Sequence, residues 1–496
     1  MSETKTEKNI FIRGKFLVPI SDKLGRNAVI EDGYVLIKDG KILRSGKYGE
    51  SLGKSIIEKY RNNLKILGCS KKSGFKSSDI KCLNKIILPG FVKAHGHDHE
   101  SPIIGIAKDM PLTPWLDKAV NLFTGFMNEK RGMLEKRFGK SPNYVTYIKA
   151  RLDDIHYGIT ASMVHHCNHN KYRVGEIVKA NIDAGTKMIV AVGSQDQHYD
   201  PRILDIPAGI AVKRLDDYIK LYGNAERTQI IPGPDQDFSN TPELLKKLKN
   251  WANSHKTLIH IHSSEEPNTT KWFTKNNKMT PVELFNSIKF LDENTILAHQ
   301  VNCTENDLKI LKKTKAKVVH NPLANTILGS GMPPVIKMME MGIPVVISTD
   351  GSGSADNQSI INAARLASQY QKALHQDATL LPAQKTLEMI TIEPAKFLRM
   401  NTGSIESGKD ADVILIDLER PNMVPTRKDN VIDNIIWAAD GSEVSDVVAN
   451  GKILKENYSF KTLNAKKIKE EALELSELMV AYRKTAKEIK GTGAHK

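Results

Sequence analysis

His95 and His97, in the run Pro89-Gly90-Phe91-Val92-Lys93-Ala94-His95-Gly96-His97, are spaced to act together. On a β-strand, side chains two apart point to the same side. Two adjacent imidazoles make half of a site for zinc or a similar ion. Packing or surface histidines would give the same pair, so its weight depends on what the rest of the chain supplies.

Buried-looking strands recur at Phe91–His97, Thr160–His166, Lys187–Gly193, Thr228–Gly233, Thr257–His262, Thr295–His299, Lys317–His320 and Pro344–Ser348. Helical patterns separate them at Arg173–Ala184, Pro242–His255, Pro281–Leu291, Glu305–Lys313 and Pro333–Met341, and a helical stretch is expected within Ile103–Met133. Eight βα units predict an α/β fold, a (β/α)8 TIM barrel over residues 89–402. Sites in such barrels lie where the strands end. Polar residues gather at those ends: His260-Ile261-His262-Ser263-Ser264-Glu265, Leu297-Ala298-His299, His320-Asn321-Pro322 and Ser348-Thr349-Asp350-Gly351.

Both chain ends read as β structure. Asp39-Gly40 and Asn450-Gly451 each sit between short apolar runs, a strong hairpin signal. The expectation is a small β-sandwich built from both termini, residues 1–88 and 403–462, with a lysine- and serine-rich insertion near 49–84 forming a surface loop or short helix. Residues 463–496 are expected as a helix and tail, with Ile468, Ala472, Leu475, Met479, Tyr482, Ala486 and Ile489 as its packing stripe.

The chain has 496 residues and a net charge of +15, yet its basic residues are spread over helical segments without interleaved aromatics. That favours a solvated lysine-rich surface over nucleic acid. No apolar run nears the roughly 20 residues that span a bilayer, and Met1–Asn9 is too polar for a secretory signal. Cys69, Cys82, Cys167 and Cys303 lack paired spacing, which points to a reducing, cytoplasmic setting. The expected partner is a small-molecule substrate, with neither nucleic acid nor membrane, in a homo-oligomer of two or more copies.

The chain resembles the amidohydrolase superfamily, in the branch holding methylthioadenosine/S-adenosylhomocysteine deaminases and chlorotriazine hydrolases. The resemblance rests on Pro89–His97, His260–Glu265, Leu297–His299, His320–Pro334, Ser348–Gly351 and Gly403–Asp417. It implies one divalent metal per chain, zinc first and iron second, held by His95, His97, His262 and Asp350. It also implies Glu265 as general acid/base, His299 as hydrogen-bond partner of the attacking oxygen, and Asp350 as a late proton acceptor. His260 would stand behind the ligands, and His320 and Asn321 would shape the site. Strand 4 ends Pro232-Gly233-Pro234-Asp235-Gln236 without a lysine, which argues against a carboxylated-lysine bridge between two metals.

The chain departs from the branch's nucleoside deaminases where they grip their substrate. Asp235 replaces a histidine, Thr124 stands at an acidic position that holds ribose, and Val192 aligns with an arginine that Arg202 could replace. Hydroxyl-binding sites discriminate strongly when their partners change. Asp98, His99 and Glu100, His165, His166, Asn168 and His169, and Gln195 to His198 add polarity at the other strand ends. Together they suit a small nitrogen-rich ring; Asp98-His99-Glu100 as a second metal site is the less favoured reading. Expected substrate contacts are Asp235, Gln236, His198, Arg202, Trp115 and Asn325.

The resulting expectation is a mononuclear metal-dependent aminohydrolase, a cyclic amidine deaminase acting on an aromatic nitrogen heterocycle by metal-bound hydroxide. The alternatives are the same hydrolase acting on a cyclic amide or ring chloride, and a non-catalytic binding or assembly protein.

Overall fold

The computed structural model describes residues 9–60, 63–70 and 81–484. Eight parallel strands follow one another: β1 (Phe91–Lys93), β2 (Ile159–His166), β3 (Lys187–Ser194), β4 (Thr228–Pro234), β5 (Ile259–Ser263), β6 (Thr295–His299), β7 (Lys317–His320) and β8 (Val345–Ile347). They form two four-stranded sheets, ordered β4-β3-β2-β1 and β5-β6-β7-β8. Strands buried on both faces need apolar residues at every position, and Met188 to Val192 of β3 are all buried. One set of alternating residues (Val92, Met163, Ile189, Ile231, Ile296, Val319 and Val346) shares a single inner cluster. The opposite set packs outward against the helices.

Where β4 meets β5, the His262 amide donates to the Asp235 carbonyl at 3.1 Å. Between β8 and β1 a side chain replaces the ladder: the Ser348 hydroxyl accepts from the His95 amide at 3.0 Å and donates to the His95 carbonyl at 2.7 Å. The helices between strands start on caps written in the sequence. Thr241 accepts from Leu244 N ahead of helix Pro242–Ser254, and Thr304 with Asp307 forms a capping box before Glu305–Thr314.

The two chain ends meet in one nine-stranded sheet, whose central members are Asn9–Leu17, Lys85–Pro89 and Val413–Asp417. Both expected hairpin turns form, and Asp39, Gly40, Asn450 and Gly451 all take positive φ, the backbone such two-residue turns require.

Several boundaries differ from expectation. β1 stops at Lys93, so His95 and His97 lie in the segment beyond it; their rings still converge, with centroids 4.9 Å apart. The helical run expected within 103–133 begins only at Leu112, continues through a π-helical turn at Leu116–Asn121, and ends at Glu129. The insertion is partly built into the terminal sheet: Glu50–Tyr60 is a helix, and Leu64–Leu67 pairs with Asn9–Leu17. Residues 71–80 of it lie outside the described residues. Helix Ala465–Arg483 buries Ile468, Ala472, Leu475 and Met479 against this same protein, while Ala486 and Ile489 lie outside the described residues.

Candidate active site

The strand ends bring four expected metal ligands to one point. His95 Nε2 lies 3.2 Å and His97 Nε2 3.4 Å from Asp350 Oδ1, and the His97 and His262 Nε2 atoms are 3.1 Å apart. A tetrahedral ion about 2.0–2.1 Å from nitrogen and oxygen donors sets them roughly 3.3 Å from one another. Neither ring nitrogen of buried His95 has a hydrogen-bond partner. His262 Nδ1 meets the Asp235 carbonyl at 2.6 Å and His97 Nδ1 the His165 carbonyl at 3.2 Å. A carbonyl can only accept, so each Nδ1 carries the proton and leaves Nε2 bare as a ligand. Burial, aided by the neighbouring imidazoles, holds His95 well below the ordinary histidine range and brings His262 down to about 4. These rings are therefore neutral, the ligating form.

His299 Nε2 stands 3.5 Å from Glu265 Oε2 and 3.7 Å from Asp350 Oδ2. Asn325 Oδ1 and Asn321 Nδ2 approach its Nδ1 at 3.2 and 3.5 Å, fixing the ring from behind. Burial, reinforced by the Asp350 charge, pushes Glu265 well above the usual carboxylate range, against the pull of the Gln236 amide. His260 stacks on His95 at 4.9 Å and 13°, with both of its nitrogens unpartnered.

His97, His262, Glu265, His299 and Asp350 line a cleft. Leu112, Trp115, Leu116, Val120 and Leu328 give it an apolar side. Glu100, Asp235, Glu265 and Asp350 line it as well, with no lysine or arginine among the lining residues. Burial raises Asp235 to about 7, against the Tyr199 hydroxyl and Cys167 thiol, which favour its ionised form.

Of the expected substrate contacts, Asp235, Gln236 and Trp115 line this cleft, and three do not. His198 is exposed, its ring edge-on to Trp272. The Arg202 side chain is 45% exposed, and its guanidinium is engaged by Asp200 at 2.6 Å in the same turn and by Glu129 at 3.5 Å. Asn325 is buried behind His299 rather than facing the cleft. Asp98 and Glu100 do not converge with His99 on one ion. Arg151 holds Asp98, and the Gly353 and Ser354 amides hold Glu100. Sequence reasoning missed Cys167 and Tyr199. Each directly follows a polar run that drew attention to its charged members instead.

The amidohydrolase family model matches residues 86–454. The 5'-deoxyadenosine deaminase of Methanosphaera stadtmanae is 32% identical over 434 residues, covering 87% of this chain and 95% of that protein. The 5-methylthioadenosine/S-adenosylhomocysteine deaminase of Caldanaerobacter subterraneus is 31% identical, covering 78% and 84%. Among solved structures, zinc-complexed atrazine chlorohydrolase TrzN from Arthrobacter aurescens TC1 superposes with a TM-score of 0.78 at 22% identity, covering 94% of this chain and all of that one.

Proposed function

The chain belongs to the amidohydrolase family, and from that premise we propose that it removes an amino group, as ammonia, from a free aromatic nitrogen heterocycle. It is a deaminase, a hydrolase of carbon–nitrogen bonds in a cyclic amidine. The observation that carries the reading is the chain of three 3.1–3.4 Å separations linking His95, Asp350, His97 and His262, which suits one tetrahedral divalent ion. Zinc suits three imidazoles and one carboxylate best.

When bound, such an ion supplies Lewis acidity and hydroxide at neutral pH. Glu265 takes the proton of the attacking water and passes it to a ring nitrogen, then assists the departing amine. His299, between Glu265 and Asp350, hydrogen-bonds the attacking oxygen. Asp350 accepts a proton late in the reaction. Trp115 and its apolar neighbours offer the ring a flat dry face, and Asp235 and Gln236 meet its polar edge.

A free heterocycle, rather than a nucleoside, fits the departures from the branch. Thr124 is buried in helix Leu122–Glu129, and Val192 packs among the helices. Arg202 lies outside the cleft lining. We also take the two parallel sheets as one (β/α)8 barrel over 89–402, and the terminal sheet as the small sandwich. The shared inner cluster supports the first assignment.

Metal analysis of protein prepared without added zinc should find about one equivalent per chain, as a closed four-ligand set requires. Ammonia should be released from some member of a panel of aminated purine, pterin and triazine bases. No metal, with His262→Ala unchanged in metal content, would overturn the reading. Ring opening or halide release without ammonia would favour the cyclic amide or ring chloride instead.

A further inference from the structure

The apolar side of the cleft is tied to an element at the far end of the chain. Leu112, Trp115, Leu116 and Val120, which line the cleft, all lie between Ile106 and Glu129. Two adjacent residues near the end of helix Ala465–Arg483 hold the two ends of that segment. The Arg483 guanidinium donates to the Ile106 carbonyl at 2.9 Å, and the Tyr482 hydroxyl donates to Glu129 Oε2 at 2.7 Å. The Tyr482 ring tilts against Phe126, with centroids 5.0 Å apart. One and two turns back, Met479 and Leu475 are fully buried in a single apolar cluster with Leu112, Trp115, Leu116, Val120 and Phe126. Residues 106–111 form neither helix nor strand, and Leu116–Asn121 is a π-helical turn, an uncommon form that recurs at functional sites. The course of the wall therefore depends on its packing and on its end anchors. The helix that supplies both lies beyond residue 454, where the match to the amidohydrolase family model ends.

We infer that Tyr482 and Arg483 are positioning residues: the C-terminal helix clasps the Ile106–Glu129 segment at both ends and so sets the apolar wall against which the substrate ring lies. The inference rests on the reading of the cleft as a heterocycle site. Neither residue lines the cleft, so each acts through the wall. A flat ring gains its binding from close packing, and a gap of about 0.5–1 Å already forfeits a quarter to a half of that attraction. None of His95, His97, His262, Glu265 and Asp350 lies on the segment. Loosening the clasp thus weakens substrate binding and leaves the chemical step alone, which reads as a higher KM at constant kcat.

Kinetics and hydrogen exchange on the metal-loaded full chain test this. In Tyr482→Phe/Arg483→Met, KM for a heterocycle that releases ammonia should rise at least about fivefold (about 1 kcal/mol), with kcat and metal content within about twofold of the wild type. Amide exchange, followed by mass spectrometry, should quicken at least about fivefold across 106–129 and stay unchanged in β5 and β6. A helix that only stabilises the fold would lose protection throughout and leave KM where it was, and either result overturns the inference. Unchanged exchange across 106–129 overturns it as well. If the double variant does not fold, Tyr482→Phe and Glu129→Gln decide, singly and together. Both remove the same hydrogen bond, so their effects on KM and on exchange across 106–129 should not add, and additive effects overturn the clasp. Failure of the proposed reaction would look different: no ammonia from any compound of the panel, while exchange across 106–129 still decides the clasp.

Discussion

Arg151 and Asp98 meet in an ion pair of 2.6 Å, with neither side chain more than 1% exposed. Asp98 directly follows His97. Asp154 joins them, 2.9 Å from Arg151 and 2.8 Å from Lys93, the last residue of β1. Two cations and two carboxylates thus clamp the segment carrying His95 and His97 from both sides. Removing one partner of a buried pair strands a charge, at about 3–5 kcal/mol. Arg151→Met should lower unfolding stability by that order in urea titration, and reduce metal retention with it. A loss below about 1 kcal/mol, typical of solvated pairs, would show that water relieves the stranded carboxylates.

Glu265 is assigned the proton transfer and no part in holding the ion. Glu265→Gln should therefore retain its metal, while kcat falls about 10²–10⁴-fold, the usual weight of a positioned acid/base. Steady-state ammonia release beside metal analysis reads both. Unchanged turnover would remove Glu265 from the chemistry, and would suit a binding protein better than an enzyme.

Asp235 should act on the substrate rather than on the ion. Above pH about 7, where its carboxyl is mostly ionised, Asp235 accepts and cannot donate, so the ring preferred there presents an N–H or amine on that edge. Asp235→Asn should cut kcat/KM at least about tenfold, equivalent to about 1.4 kcal/mol, with metal content intact. Turnover like that of the wild type would make Asp235 a bystander.

The cleft's charge should also sort substrates. Apart from the proposed ion, its lining offers four carboxyl groups and no basic side chain, so in a phosphorylated form of any accepted ring a phosphate held away from that ion finds no cationic side chain to pair with. The kcat/KM of such a form should fall at least about tenfold below the parent compound, since leaving a charge desolvated and unpaired readily costs more than about 1.4 kcal/mol. Equal rates would mean that the phosphate projects into solvent.

Much of the site was legible because strand order and strand ends carry it. His95, His97, His262, His299 and Asp350 sit where alternation of strands and helices said a cleft would open, and their rings converge although β1 ends before His95. Less legible was which loop residues turn inward. Arg202 looked suited to a substrate, but Asp200 captures it within the same turn, and local pairing leaves no periodic trace. Cys167 and Tyr199 are apolar enough to read as packing, so only three-dimensional proximity to Asp235 reveals them. The insertion misled for a similar reason: Leu64–Leu67 is too short to show a strand pattern by itself and gains its conformation from the strand it pairs with.

The strand Lys85–Pro89, which delivers the His95 segment, runs between Asn9–Leu17 and Val413–Asp417, with Leu88 opposite Ile414 and the Gly90 amide bonded to the Asp412 carbonyl. On the ribosome, its second neighbour is made only after the whole run from β1 to β8 has been synthesised. The segment bearing two of the four proposed ligands thus gains its final support among the last events of biosynthesis. Contacts so distant along the chain slow folding, and nascent chains halted before residue 413 should hold their ion poorly even with every ligand present.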